Sequence, residues 1–511
     1  MGDLDRHALH GDALRATGEP IALPPNTNLT KFRAFISRVT SVVDETNVQI
    51  ILSDDDIAQE EYTDPSRAHD INIGYGGTAP RVRGSLGIDL GKNMNRVLKV
   101  DPQSAYALLE TGVSYFDPHE YLVTHNLRDQ VWADVPDVGG GSVIGNALER
   151  GTGYTPYGEH WMMHCGLKVV LPDGSLRTGM GALPNPKADK SKPPHEQEPN
   201  ESWQIFDCSL GPHSAGIFSQ SSLGIVVKMG ILLLPNPGGY QAYMVTFPRD
   251  NDLNQIVEIL RPLRISGVIQ NTPKLDNVLV TAAVQSHRTE YTTSNKPLTD
   301  CQLDEVAKKL SVGRWNLYGA MYGPPVIRDA LWSVINASFS KIHGAKFYFP
   351  EDRPTDTVLQ TRSNTMQGIP STTELGLLSW LPNGGHLFFS PIAKVTGPDA
   401  NAQYGLTRRL SEEYRFDFIG VFIIGAREMH HIVCILFDRK DPDARRRAHK
   451  LIQVLIAEAA DRGLNNFNEN AQMKLNEKLK NTLDPKGILC PGKYGIWPAN
   501  YRKEDWSLHK P

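Results

Sequence analysis

Short apolar runs separated by polar turns follow one another along the first half of the chain. They occupy residues 86–90, 96–100, 105–112, 167–171 and 223–234. Runs of this length, bounded by turn residues, are typical of strands. Pro172-Asp173-Gly174 predicts a hairpin turn that leads into a further strand at 175–178. The pattern therefore predicts a strand-rich first region.

The pattern changes after Pro235-Asn236-Pro237-Gly238-Gly239, which is the clearest break in the chain. Strand-like runs at 240–247, 278–284 and 433–437 then alternate with amphipathic stretches. Over residues 444–462 the apolar positions recur every three or four residues, which predicts a helix. We expect an α+β fold with a second domain from residue 238 to residue 463.

Charge and cysteine usage narrow the range of partners and compartments. The 511 residues include 53 Lys and Arg against 57 Asp and Glu, a net charge of −4. This balance argues against a nucleic acid or an anionic membrane as partner, and no apolar run approaches the ~20 residues of a membrane span. The five cysteines are scattered, the first residues are polar, and the last five are not a peroxisomal address. We therefore expect an intracellular, cytoplasmic protein without a metal site.

Residues 137–158 are rich in glycine, with Gly139, Gly140 and Gly141 in succession. Glycines let the backbone approach a ligand closely, and a helix beginning after Ser142 would point its N-terminus at them. Such a helix end suits an anion such as a pyrophosphate. The alternative is a tight turn, because no clear buried strand precedes the glycines and their spacing alone is a weak dinucleotide signal.

Longer motifs carry a family resemblance. Residues 134–163, Gly313-Arg314-Trp315-Asn316, Met366-Gln367-Gly368-Ile369-Pro370 and Arg427-Glu428-Met429-His430-His431 resemble the vanillyl-alcohol oxidase family, which includes eugenol oxidase and p-cresol methylhydroxylase. The resemblance covers most of residues 72–463 and resumes at 484–498. It implies a two-domain FAD-binding fold, with residues 1–237 and 464–511 in the FAD-binding domain and residues 238–463 forming a cap domain.

The resemblance also implies an activity. A family member would be a homo-oligomeric, FAD-dependent oxidase of para-substituted phenols such as 4-hydroxybenzyl alcohols. Hydride would pass from the benzylic carbon to flavin N5, with dioxygen as the electron acceptor.

Several residues match positions that hold the flavin in the family. By resemblance, His386 would carry a covalent bond to the flavin 8α-methyl group, although a lone histidine beside two glycines is usually structural. Arg362 would place positive charge near the reduced flavin. The remaining cofactor-binding matches are Gly74, Gly76, Gly77, Gly140, Gly141 and Ser142.

Other residues match the catalytic site and the phenol pocket. Asp137 would lie beside flavin N5, where a carboxylate can accept a proton or stabilise developing charge; its alternative is a turn or a helix cap. Tyr75 and Tyr154 would direct their hydroxyl groups at the substrate oxygen, and without the resemblance each is an ordinary turn tyrosine. The pocket-lining matches are Thr152, Glu374, Phe388, Val421 and Ile432.

Two stretches depart from the family. The family has a strand–helix–strand passage and a pyrophosphate-binding loop before Gly74, and a Tyr-Arg pair that has no counterpart at 465–480. We therefore expect a truncated FAD-binding domain, and an inactive or incomplete product is an alternative, as is an FAD-linked dehydrogenase of a 2-hydroxy acid. His430 and His431 are adjacent and would point to opposite faces of a strand, so they do not predict a metal site.

Overall fold

The structure is a computed structural model, and it describes most of the chain from residue 90 onward. The described ranges are 90–91, 93–180, 185–193, 199–208, 211–459 and 470–501, with the isolated positions 28, 30, 34, 48–50, 86–88 and 197. The predicted site residues Gly74, Tyr75, Gly76 and Gly77 lie outside the described residues.

The described residues contain seventeen strands and ten α-helices. The strands are β1 Val48–Ile50, β2 Leu86–Ile88, β3 Val97–Asp101, β4 Tyr106–Glu110, β5 Val131–Trp132, β6 His164–Val170, β7 Leu176–Met180, β8 Ile225–Leu232, β9 Leu234–Pro235, β10 Tyr240–Phe247, β11 Lys274–Asn277, β12 Trp315–Tyr322, β13 Lys346–Tyr348, β14 Gly384–Phe389, β15 Ile392–Lys394, β16 Gly420–Ile424 and β17 Glu428–Asp438. The helices are α1 Phe116–Thr124, α2 Val143–Leu148, α3 Leu253–Ile265, α4 Val278–Gln285, α5 Asp300–Leu310, α6 Pro325–Phe339, α7 Thr357–Met366, α8 Gly397–Glu413, α9 Pro442–Ala459 and α10 Ala471–Leu483.

The first region is built on an antiparallel five-stranded sheet in the order β3-β4-β8-β6-β7. Leu109, Leu167 and Met229 are buried on it together with Ile144 of α2. The predicted hairpin between β6 and β7 is present, with Gly174 at a φ of +81° and Leu171 N–H bonded to the Ser175 carbonyl at 2.9 Å. Helix α10 packs against this same core through Leu479 and Leu483.

The second region is built on a larger sheet in the order β13-β10-β12-β11-β16-β17-β14, with β15 also pairing with β17. Its neighbouring strands are antiparallel, so directly paired residues project to the same face. The outer face carries Leu275, Leu317 and Phe422, which pack in one apolar cluster with α3, α6 and α8. The inner face carries Tyr318, Val421 and Cys434 and packs with Tyr154 and Trp132 of the first region.

The prediction of a strand at 278–284 is wrong. These residues form helix α4, which begins after Asn277, whose side chain accepts a hydrogen bond from the Leu279 N–H. The stretch is apolar on every side because it lies buried against the inner face, so its sequence has no helical period. A short apolar run of this kind cannot be distinguished from a strand by periodicity, and the asparagine cap decides for the helix.

The helix predicted over 444–462 is present as α9, from Pro442 to Ala459. Ala444, Ala448, Leu451 and Leu455 are its buried face, as the apolar period predicts. The two-domain α+β architecture expected from the sequence is therefore confirmed. Among the described residues, no helix combines the length and the apolar character needed to cross a membrane.

Candidate active site

A charged cluster lies between the first region and the inner face of the second sheet. At its centre is Asp137, whose carboxylate accepts a hydrogen bond from the Tyr154 hydroxyl at 2.6 Å. Lys274 Nζ lies 3.0 Å from both carboxylate oxygens, and an Arg362 guanidinium nitrogen lies 2.9 Å from Oδ1. Asp137 is therefore neither a helix cap nor a simple turn residue, because its side chain connects three other functional groups.

Two further carboxylates complete the charged cluster. Glu374 contacts Lys274 Nζ at 3.1 Å and Arg362 at 2.8 Å. Asp276 contacts Arg362 at 3.3 Å and Lys274 at 3.9 Å. The charged cluster thus contains three carboxyl groups, two cations and one tyrosine, and its ionic groups need each other because an unpaired buried charge is strongly destabilising.

Exposure differs between the members of the charged cluster. The side chains of Lys274 and Arg362 are 3% and 4% exposed and that of Asp276 is fully buried. The Asp137 side chain is 21% exposed. Asp137 is thus the member of the charged cluster that a bound molecule reaches most easily, and the two cations that contact it are more deeply buried.

Secondary structure fixes the positions of the two cations. Lys274 and Asp276 are two residues apart on β11 and therefore share its inner face. Arg362 projects from α7, which is anchored by two tyrosines of the second sheet. Tyr240 donates to the Ser363 carbonyl at 2.5 Å, and Tyr322 donates to the Met366 carbonyl at 2.6 Å.

Close backbone contact holds the loop that carries Asp137 against the second region. The Gly139 N–H donates to the Ser371 carbonyl at 2.8 Å, and a Cβ at Gly139 would lie 2.6 Å from Pro370 Cβ. Gly368 has a φ of +72°, and a Cβ there would lie 2.2 Å from the Ala133 carbonyl oxygen. The Gln367-Gly368-Ile369-Pro370 segment is thus an interface motif that brings Asp137 to Arg362.

The pKa values of the two aspartates in the charged cluster are shifted in opposite directions. Burial raises the pKa of Asp137, but the charges of Lys274 and Arg362 and the Tyr154 hydrogen bond outweigh it, so this pKa is lowered. Burial is also the main effect at Asp276, and there the net pKa is raised. Of these two aspartates, Asp276 therefore holds a proton more readily than Asp137.

Burial and the negative charge of Asp137 raise the pKa of Tyr154 well above its ordinary value. The tyrosine is therefore neutral and donates its proton to the aspartate. Its position is secured by Asn271, whose side chain donates to the Tyr154 carbonyl at 3.1 Å and accepts from the Ala320 N–H at 3.1 Å.

His386 lies on β14, at the edge of the second sheet. It pairs with Leu436, and two residues further Phe388 pairs with Cys434, so both side chains are on the inner face. The His386 Nε2 atom is buried and finds no hydrogen-bond partner among the described residues. Burial, assisted by Arg439, lowers the pKa of His386 to about 4, so the imidazole is neutral with an available ring nitrogen.

The structure brings most of the remaining predicted residues to the same place. Glu374 is part of the charged cluster, and Phe388, Val421 and Ile432 lie on the inner face, where Val421 is paired with both Asp276 and Ile432. Thr152 lies two residues before Tyr154, in a backbone bridge with Glu159.

The predicted helix after Ser142 is present as α2, preceded by a turn at Gly139 and Gly140 and a bend at Gly141. The Ser142 hydroxyl caps this helix by accepting from the Gly145 N–H and also donates to the Thr111 carbonyl at 2.5 Å. Its side chain thus organises the glycine turn from within.

Sequence reasoning missed Lys274 and Asp276. The available signal was two charged residues on either side of Leu275, directly before the apolar run at 278–284. Charged residues are rarely buried unless paired, so charges beside such a run indicate a site. Their partners on other elements lie 86 or more residues away along the chain, and only folding identifies them.

Comparison with known proteins assigns the chain to a family. Residues 67–179 match the model of an FAD binding domain, and residues 462–494 match the C-terminal domain of FAD linked oxidases. The chain is 34% identical over 440 residues to the flavoprotein subunit of 4-cresol dehydrogenase (hydroxylating) from Pseudomonas putida, covering 83% of this chain and 81% of that protein. The chain belongs to the vanillyl-alcohol oxidase and p-cresol methylhydroxylase family.

Solved structures of the family agree with this assignment. A 4-ethylphenol oxidase from Gulosibacter chungangensis, in complex with isoeugenol, superposes with a TM-score of 0.85 at 31% identity, covering 94% of this chain and all of that one. Substrate-bound p-cresol methylhydroxylase superposes with a TM-score of 0.83 at 29% identity, covering 94% and 99%. The chain is thus an FAD-dependent oxidoreductase of the vanillyl-alcohol oxidase type.

The described residues of this family member fit the cofactor. A flavin ring needs a protein group near its reactive edge and positive charge for its reduced form, and the charged cluster offers Asp137 together with Lys274 and Arg362. The buried Nε2 of His386, without a partner among the described residues, is the kind of atom that a bound group completes.

Proposed function

We propose that this chain is an oxidase of para-substituted phenols such as 4-hydroxybenzyl alcohols, with dioxygen as the electron acceptor. The phenol-oxidising relatives support the substrate class. The observation that carries the proposal is the position of Asp137. Its carboxylate is partly exposed and is held by Tyr154, Lys274 and Arg362. It lies against the inner face of the second sheet, the face that also bears His386. When bound, FAD accepts a hydride from the benzylic carbon.

In this proposal Asp137 acts on protons and charge. Loss of hydride leaves positive charge on the benzylic carbon, and an ionised carboxylate beside that carbon stabilises it. The lowered pKa of Asp137 keeps the carboxylate ionised at neutral pH. The same carboxylate accepts the proton that is released when water adds to this carbon, or when a hydroxyl group already on it becomes the carbonyl of the aldehyde.

Lys274 and Arg362 hold Asp137 in place and balance charge. Both are almost fully buried, where their electrostatic effect is much larger than in water. They favour the anionic form of a reduced cofactor, while the apolar residues Phe388, Val421 and Ile432 on the same face accept an aromatic ring. Tyr154 orients Asp137 by donating to it, so we assign it a positioning role through that hydrogen bond.

We also propose His386 as the attachment point of the flavin 8α carbon. Alkylation of an imidazole needs a neutral ring with an accessible nitrogen lone pair, and the lowered pKa of His386 supplies the neutral ring. The partly buried strand β14 gives the residue a fixed position, which favours a single covalent geometry.

The attachment is tested by the absorbance spectrum of the purified protein and of its acid precipitate. We expect flavin bands that stay with the precipitate of the unmodified chain and move to the supernatant for His386→Ala. His449→Ala, an exposed histidine on α9, is the matched control and should retain the flavin in the precipitate. Flavin released from the unmodified chain would rule out the covalent bond, and a colourless protein would rule out FAD binding by this chain.

The substrate class is tested by mixing the oxidised protein with candidate substrates without oxygen. We expect 4-hydroxybenzyl alcohol to bleach the flavin absorbance, and benzyl alcohol, which lacks the para hydroxyl group, to do so at least tenfold more slowly, a difference of about 1.4 kcal/mol. Bleaching by lactate and not by the phenol would instead support a 2-hydroxy acid dehydrogenase. On admission of air, one hydrogen peroxide per substrate is expected; its absence would exclude dioxygen as the acceptor.

A further inference from the structure

A group of three side chains that could bind a metal ion lies at the start of β6 in the five-stranded sheet. It shares no residue with the charged cluster. It consists of His164, the first residue of β6, together with Asp207 and His213. The three offer one ligand atom each, and these atoms all lie within 4.8 Å of one another. His164 Nε2 is 3.7 Å and His213 Nε2 is 3.9 Å from the same Asp207 oxygen, Oδ2.

The His164 ring is held as a metal ligand would be. Its Nδ1 contacts the carbonyl oxygen of Trp161, which can only accept, so Nδ1 carries the hydrogen and Nε2 carries a lone pair. The ring also stacks on the Trp161 indole with centroids 3.7 Å apart. A histidine that ligates a metal usually donates its other ring N–H to a carbonyl or a carboxylate in this way.

The Nε2 atom of His164 is otherwise unexplained. It is buried without a hydrogen-bond partner among the described residues, in a side chain that is 4% exposed. Its separation of 3.7 Å from the Asp207 carboxylate is too long for a hydrogen bond. A buried polar atom left unsatisfied costs about 1–3 kcal/mol, and a bound cation would satisfy it.

We propose that His164, Asp207 and His213 bind one divalent first-row transition-metal ion, through two imidazole nitrogens and one carboxylate oxygen. Imidazole and carboxylate ligands suit Zn²⁺, and three protein ligands leave a position for water. Ligand atoms at ~2.0–2.1 Å from a tetrahedral ion are roughly 3.3–3.4 Å apart. The nitrogen–oxygen separations of 3.7 and 3.9 Å, and the three atoms as a group, must therefore draw closer when the ion binds. His213 can supply this movement, because its side chain is 44% exposed.

The ion would fasten Asp207 and His213 to the start of β6. His164 belongs to that strand and pairs with Ile231 of β8. Binding to the folded state alone stabilises that state. The site therefore predicts a metal-dependent thermal stability that does not involve the charged cluster.

The test uses the full-length, flavin-loaded protein without an affinity tag, treated with a chelator and then titrated with Co²⁺. We expect one equivalent of Co²⁺ to bind, with visible d–d absorption that one equivalent of Zn²⁺ displaces. His213→Ala and Asp207→Asn should weaken binding by at least the ~10–100-fold that loss of even a supporting partner costs. His449→Ala, the matched control, should bind like the unmodified chain.

Thermal unfolding gives a second readout that requires no activity. Zn²⁺ should raise the unfolding temperature of the unmodified chain and of His449→Ala but not of His213→Ala. His213 is 44% exposed, so we expect this variant to fold normally, and circular dichroism checks that it does. Less than about 0.1 equivalent of bound metal at millimolar Co²⁺, or equal binding by His213→Ala and His449→Ala, would overturn the proposal.

Discussion

The two faces of the second sheet use the same strands for opposite purposes. On the outer face, Leu275, Leu317 and Phe422 pack beneath helices and carry no charge. On the inner face, one residue to either side of Leu275, the ionisable side chains of Lys274 and Asp276 are buried with partners from other elements. A strand can therefore carry a core and a chemical site at alternate positions, and mutations at neighbouring residues should have different consequences.

The largest expected effect is on the inner face, at Asp137. Asp137→Asn keeps the size and much of the hydrogen bonding but removes the charge. We expect the rate of flavin reduction by 4-hydroxybenzyl alcohol to fall ~10²–10⁴-fold, the usual contribution of a positioned acid or base, with flavin content unchanged. Stopped-flow absorbance measures the rate, and a rate within threefold of the unmodified protein's would exclude Asp137 from the chemistry.

Lys274→Met and Leu275→Ala compare the two faces directly. Lys274→Met leaves three buried carboxyl groups with only one of their two cations, Arg362, and should lower the free energy of unfolding by about 3–5 kcal/mol. Leu275→Ala leaves a cavity and should cost about 2–5 kcal/mol. Denaturant unfolding measures both. Only Lys274→Met should also slow flavin reduction, and equal rates for the two variants would remove the functional distinction between the faces.

A pH effect is expected at His386 when the flavin is absent. The unfolded chain takes up a proton on this histidine near its ordinary pKa of 6.5, but the folded chain does so only near a pKa of about 4. Between these values the unfolded state holds more protons, so stability is fully present above pH 6.5 and falls as the pH drops towards 4. The loss is at most about 3 kcal/mol.

His386→Asn should flatten this dependence, as measured by denaturant midpoints of flavin-free protein between pH 4 and pH 7. His449→Ala is again the control, because the exposed residue should leave the slope unchanged. An identical slope for His386→Asn would show that the buried imidazole does not govern stability in this range.

The smallest expected effect concerns the contact between the two regions. Gly368→Ala places a Cβ 2.2 Å from the Ala133 carbonyl at a positive φ and should lower stability by about 1–3 kcal/mol, with slower flavin reduction because Asp137 shifts. Gly174→Ala has a similar φ of +81° but open space around it. Gly174→Ala should lower stability by about 1 kcal/mol without any effect on the rate of flavin reduction. Equal rates for both variants would show that the contact between the two regions at Gly368 does not position Asp137.

The sequence predicted the strand-rich first region, the hairpin at Gly174 and helix α9, because each depends on a local period or on a turn residue. It was wrong about residues 278–284, where burial on all sides removed the period that distinguishes a helix. The bounds of the domains and the roles of the site residues stay predictions. The two departures from the family also stay predictions, because residues 51–85 and 460–469 lie outside the described residues.

What the sequence determined by itself was the family, the cofactor and a set of candidate residues, because those follow from motifs that are continuous in the chain. Only the tertiary structure decided that Asp137 is held by Lys274 and Arg362, and that His164 lies beside Asp207 and His213. Those contacts join residues separated by 137 and 225 positions at Asp137, and by more than 40 between His164 and Asp207. The role of a buried charge or an unsatisfied nitrogen depends on the groups that lie next to it in the fold. The spacing of residues along the chain does not reveal those neighbours.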